Sequence, residues 1–217
     1  MAFRVFDTAE KMPGPNRSPG VDRKWIRSNR ALSAWISTHR CRLAEAVESA
    51  MSIRSALEAI FPILDAVCVG TCPWCPEPCC IVARSWFDFR DLLFFHLNDL
   101  ALPPGPLSTD EARRCRYLGR RGCRLPRILR PWACTQYLCA TQHRFLSKSL
   151  GTHALNQLAS SIRRICAARI LLEETFEEIV KRSATQERSK SPASPPDPAF
   201  RQTTRFVDNP TGVMHNN

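Results

Sequence analysis

Between about Ser28 and Phe61 apolar residues recur at steps of three and four: Leu43, Val47, Ala50, Ile53, Leu57 and Ile60, continued by Leu64. Arg42, Glu45, Glu48 and Arg54 fall between them, a spacing that predicts an amphipathic helix with one buried face. Pro62 lacks a backbone N–H and is predicted to kink or restart that helix. A second long helix is predicted from about Thr152 to Arg182 by Leu155, Leu158, Ile162, Ile165, Ala168, Leu172, Phe176 and Ile179. Glu177 with Lys181, and Glu178 with Arg182, add favourable i,i+4 pairs there.

The intervening chain is punctuated. Cys68 to Cys80 (CVGTCPWCPEPCC) holds three prolines and is expected to be a loop presenting sulfur. Trp86 to Leu100 predicts a short, largely buried helix with Asp88 as N-cap and Asp91 three residues on, stopped by Pro103, Pro104, Gly105 and Pro106. Ser108 and Glu111 have capping-box spacing and predict another short helix. The expected fold is mainly α: two long amphipathic helices packed on an irregular, Cys-rich, metal-organised centre with short helices. Residues 1–27 read as a flexible lead-in and 28–183 as a single helical domain with its cysteine cluster at 68–139. Residues 184–217 have the Ser/Pro/charged composition of a disordered tail.

Composition then narrows the chemistry. The N-terminus, with Arg4, Asp7, Glu10 and Lys11, lacks the apolar core of a secretory signal. Pro62 and Asp65, and Asp88, Arg90, Asp91 and Asp99, interrupt the two most apolar stretches short of the roughly 20 uncharged residues of a spanning helix. A cytoplasmic protein with no membrane partner is expected. Thiols stay reduced in the cytosol, so 11 cysteines point there to metal or redox chemistry rather than disulfides. The odd number also forbids complete internal pairing.

Eight cysteines form two groups, Cys72-x2-Cys75-x3-Cys79-Cys80 and Cys115-x7-Cys123-x10-Cys134-x4-Cys139. Thiolates a few residues apart on a bent loop can converge on one ion, and tetrahedral zinc or an iron-sulfur cluster each take four. Pro73, Pro76 and Pro78 reduce the entropy lost when such a loop closes. The expected metal ligands are Cys72, Cys75, Cys79, Cys80, Cys115, Cys123, Cys134 and Cys139, holding zinc or iron, the latter also as an iron-sulfur cluster. Cys41 and Cys166, alone within helical patterns, are expected to be packed core or boundary residues. Cys68, four residues from Cys72, stands between ligand and packing residue. His143, four residues after Cys139, reads as a helix-start histidine rather than a ligand, and His96 as a satisfied core side chain.

CPWCPEPCC, followed by CRYLGRRGCRLPRILRPWACTQYLC, resembles the CxxCxxCC or YkgJ-type cysteine-cluster family. The matching pieces are Cys72, Cys75, Cys79 and Cys80; Cys115 with Leu118; Gly122 and Cys123; Arg130, Pro131 and Cys134; and Cys139. They cover residues 72–139, and three residues rather than two separate Cys75 from Cys79. The resemblance implies a zinc- or iron-chelating domain of the bacterial cytosol, without a defined reaction. Flagellin lysine methyltransferases resemble the same family in their cysteine pattern.

Alternatives come from the same residues. Cys68-x3-Cys72-x2-Cys75 has the spacing of radical S-adenosylmethionine enzymes, but the strand and helix alternation of their barrel does not follow. An iron-sulfur redox or enzyme component is therefore the alternative function. Charge supplies another: the chain carries a formal +11, and eight arginines lie between Arg113 and Arg130 without an acidic residue. They could grip nucleic-acid phosphates as an Arg-rich zinc module, or compensate the negative charge of metal-bound thiolates. Only five of 31 basic residues are lysine, and no nucleic-acid-binding module is recognisable, which argues against a nucleic-acid partner. A metal ion and a protein partner fit better. No HExxH, Ser/His/Asp set or phosphate loop is present to indicate a reaction.

Overall fold

The computed structural model describes residues 19–76, 80, 85–107, 115–120 and 122–190. Mainly α architecture holds: the described residues contain five α-helices and one two-stranded hairpin. The chain divides at Ile179/Val180 into two compact units, and the first contains every one of these elements except the end of the last helix.

Helix α1 (Pro19–Thr38) opens on a proline, whose fixed φ and missing N–H suit a first turn, followed by Asp22 near the positive end of the dipole. Residues 19–27, expected to be a loose lead-in, are thus helical. The single helix expected from Ser28 to Phe61 is broken at His39, where a 3-10 turn (Arg40–Arg42) leads to Leu43, fully buried. Cys41, expected to be packed, is exposed on that turn.

Helix α2 (Ala44–Thr71) runs through Pro62 as one continuous helix, so the expected restart does not occur. Proline removes one ladder bond and crowds the preceding turn, at about 3 kcal/mol. The buried row Ala46, Ala50, Ile53, Leu57, Ile60, Leu64 and Val67 holds the helix together on both sides of it. Pro62 itself faces outward. Within the helical run Ala44–Trp74, which includes the 3-10 turn Cys72–Trp74, the most apolar 18-residue stretch has a mean hydropathy of 1.5. By length and composition alone it is apolar enough to cross a membrane, although Pro62 and Asp65 interrupt it. Core helices of soluble proteins share that length and composition, and 28% of its most apolar stretch is buried.

Helix α3 (Phe89–Leu97) starts as expected: Asp88 accepts from Asp91 N while Asp91 accepts from Asp88 N, a reciprocal cap. Its Leu93, Phe94, Phe95 and Leu97 are buried, at about 1.5–3 kcal/mol each. Asn98 donates to Ala50 O at 3.1 Å, tying its end to α2. His96, half-buried, lies 3.1 Å from Asn29 Oδ1 on α1, the satisfied core role expected of it; burial lowers its pKa. The helix expected at Ser108 and Glu111 lies outside the described residues.

The hairpin β1 (Leu118–Gly119) and β2 (Gly122–Cys123) pairs Leu118 with Cys123. Gly122 sits at φ +108°, which side chains avoid. Beneath it Leu107, Tyr117 and Leu125 form a small core, with Cys115, Cys123 and Phe87 packed against it. Tyr117 donates to Gly105 O at 2.7 Å and accepts from Gly105 N at 3.3 Å. Tyr117→Phe orphans both backbone groups and should cost about 1–3 kcal/mol. Urea unfolding checks this, and an unchanged midpoint would refute the bond's role.

After a 3-10 turn (Arg127–Leu129) come α4 (Trp132–Gln136) and α5 (Ala140–Lys190). α5 breaks at Gly151 (φ 77°, ψ 168°), just before the helix expected from Thr152, then runs past the expected end near Arg182 to Lys190. Residues 191–217 lie outside the described chain. Leu158, Ile165, Leu172 and Phe176 form the buried row of α5. Phe176 meets Trp35 of α1 and Phe89 of α3 edge-on.

Candidate metal centre

The C-terminal turn of α2, the hairpin and the start of α5 carry the chemistry. Cys68 belongs to the last turn of α2, and Cys72 to Trp74 form a 3-10 turn, so the expected loop from Cys68 begins only after Trp74. The prolines permit this because Pro73 falls at the start of the 3-10 turn, where its missing N–H removes no bond. Four residues apart on helical backbone, Cys68 and Cys72 lie on one face, and the Cys72 thiol hydrogen-bonds Cys68.

Two side chains from later elements meet this pair. Gln142 of α5 is buried; its Nε2 lies 3.6 Å from Cys72 Sγ and 3.8 Å from Cys68 Sγ, and its Oε1 accepts from Cys139 N at 3.1 Å. Arg127 donates from Nη2 to Cys68 Sγ at 3.3 Å and to Leu64 O at 3.1 Å, and from Nε to Asp65 Oδ1 at 2.6 Å. The Cys72 hydrogen bond, then Arg127, draw the Cys68 thiol down to about 5 against an opposing burial effect, with Arg130 adding a smaller charge contribution.

The other expected ligands are distributed around this pair. Cys75 N closes the 3-10 turn on Cys72 O at 3.3 Å, and Cys115 N donates to Cys80 O at 3.0 Å. A side chain at Gly122 would come within 3.7 Å of Cys72 Cβ, so the hairpin lies against the α2 terminus with Cys123 next in the chain. Cys115 and Cys123 pack in the small apolar core, and burial pushes the Cys115 thiol up. Cys139 precedes α5, Cys134 is exposed on α4, and Cys79 lies outside the described residues. Among the described residues no three His, Cys, Asp or Glu side chains gather as a metal ion would require. His143 is exposed in the first turn of α5, in keeping with a helix-start role, and Cys166 is half-buried in that helix.

Several described arginines are engaged within the chain. Arg116 pairs with Asp22 at 2.9 Å, Arg124 donates to Arg116 O, and Arg130 donates to Leu125 O and Cys123 O. Arg127, with a side chain only 7% exposed, reaches sulfur itself.

Gln142 belongs to no motif visible in the sequence, and Arg127 is one of eight arginines in its run. The signal for Gln142 was its position three residues after Cys139, the spacing of a glutamine that caps a helix N-terminus through the backbone. No protein-family model matches the chain, and no curated protein or solved structure matches it significantly.

Proposed function

We propose that this chain is a metal-binding cysteine-cluster protein that chelates zinc or an iron-sulfur cluster through cysteine thiolates. The observation that carries the reading is the bridge made by Gln142, whose amide contacts Cys68 and Cys72 at one end and the Cys139 backbone at the other. Side chains that orient sulfur from outside are a regular part of metal sites. Apolar packing alone, as of Cys115 and Cys123 against Leu107, Tyr117 and Leu125, calls for no such donors. The cysteine spacing, similar to that of the YkgJ-type family, supports the same reading. Arg127, nearly buried against Cys68 Sγ, fits charge compensation better than a phosphate-binding surface.

The test is purification of the full chain without oxygen, with a visible spectrum and a measurement of zinc and iron. Zinc in stoichiometric amount and no colour is expected of a structural site. A brown protein with several irons is expected of an iron-sulfur site. A chain carrying neither, with its thiols freely titratable, overturns the proposal.

A further inference from the structure

We infer that Cys68, which lies outside the two cysteine groups, is a ligand of this centre for a thiophilic divalent cation, binding as a pair with Cys72 between Arg127 and Gln142. This rests on the metal-chelating reading above. The pair is preassembled on rigid backbone: both sulfurs project from consecutive turns of one helical face, so no loop must be ordered to bring them together.

The surroundings separate Cys68 from Cys41, Cys115 and Cys123. Cys41 is exposed on a 3-10 turn, and Cys115 and Cys123 face an apolar cluster. Cys68 instead meets N–H donors from two later elements, Arg127 Nη2 at 3.3 Å and Gln142 Nε2 at 3.8 Å. The Arg127 side chain is nearly buried, and its remaining bonds go to Asp65 and Leu64 O. A guanidinium in that position stabilises negative charge on sulfur, both before and after a cation binds. Gln142 contacts both sulfurs, so it fixes their spacing as well as satisfying them.

The experiment uses the full-length, reduced chain stripped of metal and titrated with Co2+ under anaerobic conditions. A pulse of iodoacetamide, read cysteine by cysteine by mass spectrometry, should show Cys68 and Cys72 protected together by cobalt while Cys41 reacts equally with and without it. In a four-thiolate site, Cys68→Ser should lower the sulfur-to-cobalt charge-transfer absorption per bound ion by about a quarter, and Cys41→Ser should leave it unchanged. Arg127→Gln should weaken cobalt binding by about 10- to 100-fold without changing the number of bound thiolates. If cobalt protects other cysteines while Cys68 reacts as in the stripped chain, the inference falls and metal chelation stands. If cobalt protects no cysteine, both fall. The footprint needs no variant, so it decides the matter even if Cys68→Ser fails to fold.

Discussion

Asp91→Ala should lower the unfolding free energy by about 3–5 kcal/mol, because it leaves a buried guanidinium short of its counter-charge. Arg169 and Asp91 are both almost wholly buried, and Arg169 Nη2 donates to Asp91 Oδ1 at 2.8 Å and to Asp88 Oδ1 at 3.0 Å. The same Asp91 oxygen accepts from Trp132 N at 2.9 Å, while its other oxygen caps α3. The Arg169 guanidinium lies 5.4 Å from the Trp132 ring. One carboxylate thus joins the starts of α3 and α4 to the middle of α5. The double variant Asp91→Leu, Arg169→Met should lose less than the two single variants added together, since removing both charges leaves none uncompensated. Burial, opposed by the Arg169 charge and reinforced by Asp88, pushes the Asp91 carboxyl up to about 6. The folded state therefore holds a proton that the unfolded chain releases between about pH 4 and pH 6. This group's contribution to stability rises as pH falls from about 6 towards 4, and Asp91→Asn should remove that slope. Denaturant midpoints of wild type and variants across pH 4–7 test both points. A loss below about 1 kcal/mol for Asp91→Ala would show that the pair does not join the three helices as its geometry implies.

The sequence made this network partly legible. Asp88 and Asp91 could be read as a cap because their spacing is local. Arg169 could not be read as their partner, although it interrupts the apolar row between Ile165 and Leu172, because nothing local says which carboxylate it meets. The same division runs through the fold. The periodic rows of α2 and α5 were visible, whereas the start of α1 at Pro19 was hidden by turn-forming residues, and no glycine or proline marks the break at His39. Pro62 misleads because its intrinsic cost is local, whereas the tertiary packing that keeps α2 helical on both sides of it is not. In the candidate site, clustered cysteines were legible from spacing alone. Cys68 was ambiguous because it sits in helix, and what distinguishes it, Arg127 and Gln142, lies 59 and 74 residues away.

In the metal-free chain, Cys68 should react with iodoacetamide as a thiolate with a midpoint near pH 5, against 9.0 for an ordinary thiol. At pH 6 that makes it about 90% thiolate, against about 0.1% for a thiol titrating at 9. A more acidic thiolate is a weaker nucleophile, which returns about 40- to 100-fold of this difference. The net expectation is alkylation about 10- to 20-fold faster than an unperturbed cysteine of equal exposure. Cys72→Ala should raise the midpoint most, because the Cys72 hydrogen bond is the largest cause of the shift, and Arg127→Gln should raise it next. The linkage to stability has a definite sign. The depressed thiol contributes stability in full above pH 9, and that contribution is lost as pH falls to about 5. Wild type should therefore gain stability relative to Cys68→Ala as pH rises across that range, whereas Asp91 acts with the opposite slope between about pH 4 and 6. A Cys68 midpoint between about 8 and 9, unchanged by Cys72→Ala and Arg127→Gln, would show that neither neighbour stabilises the thiolate.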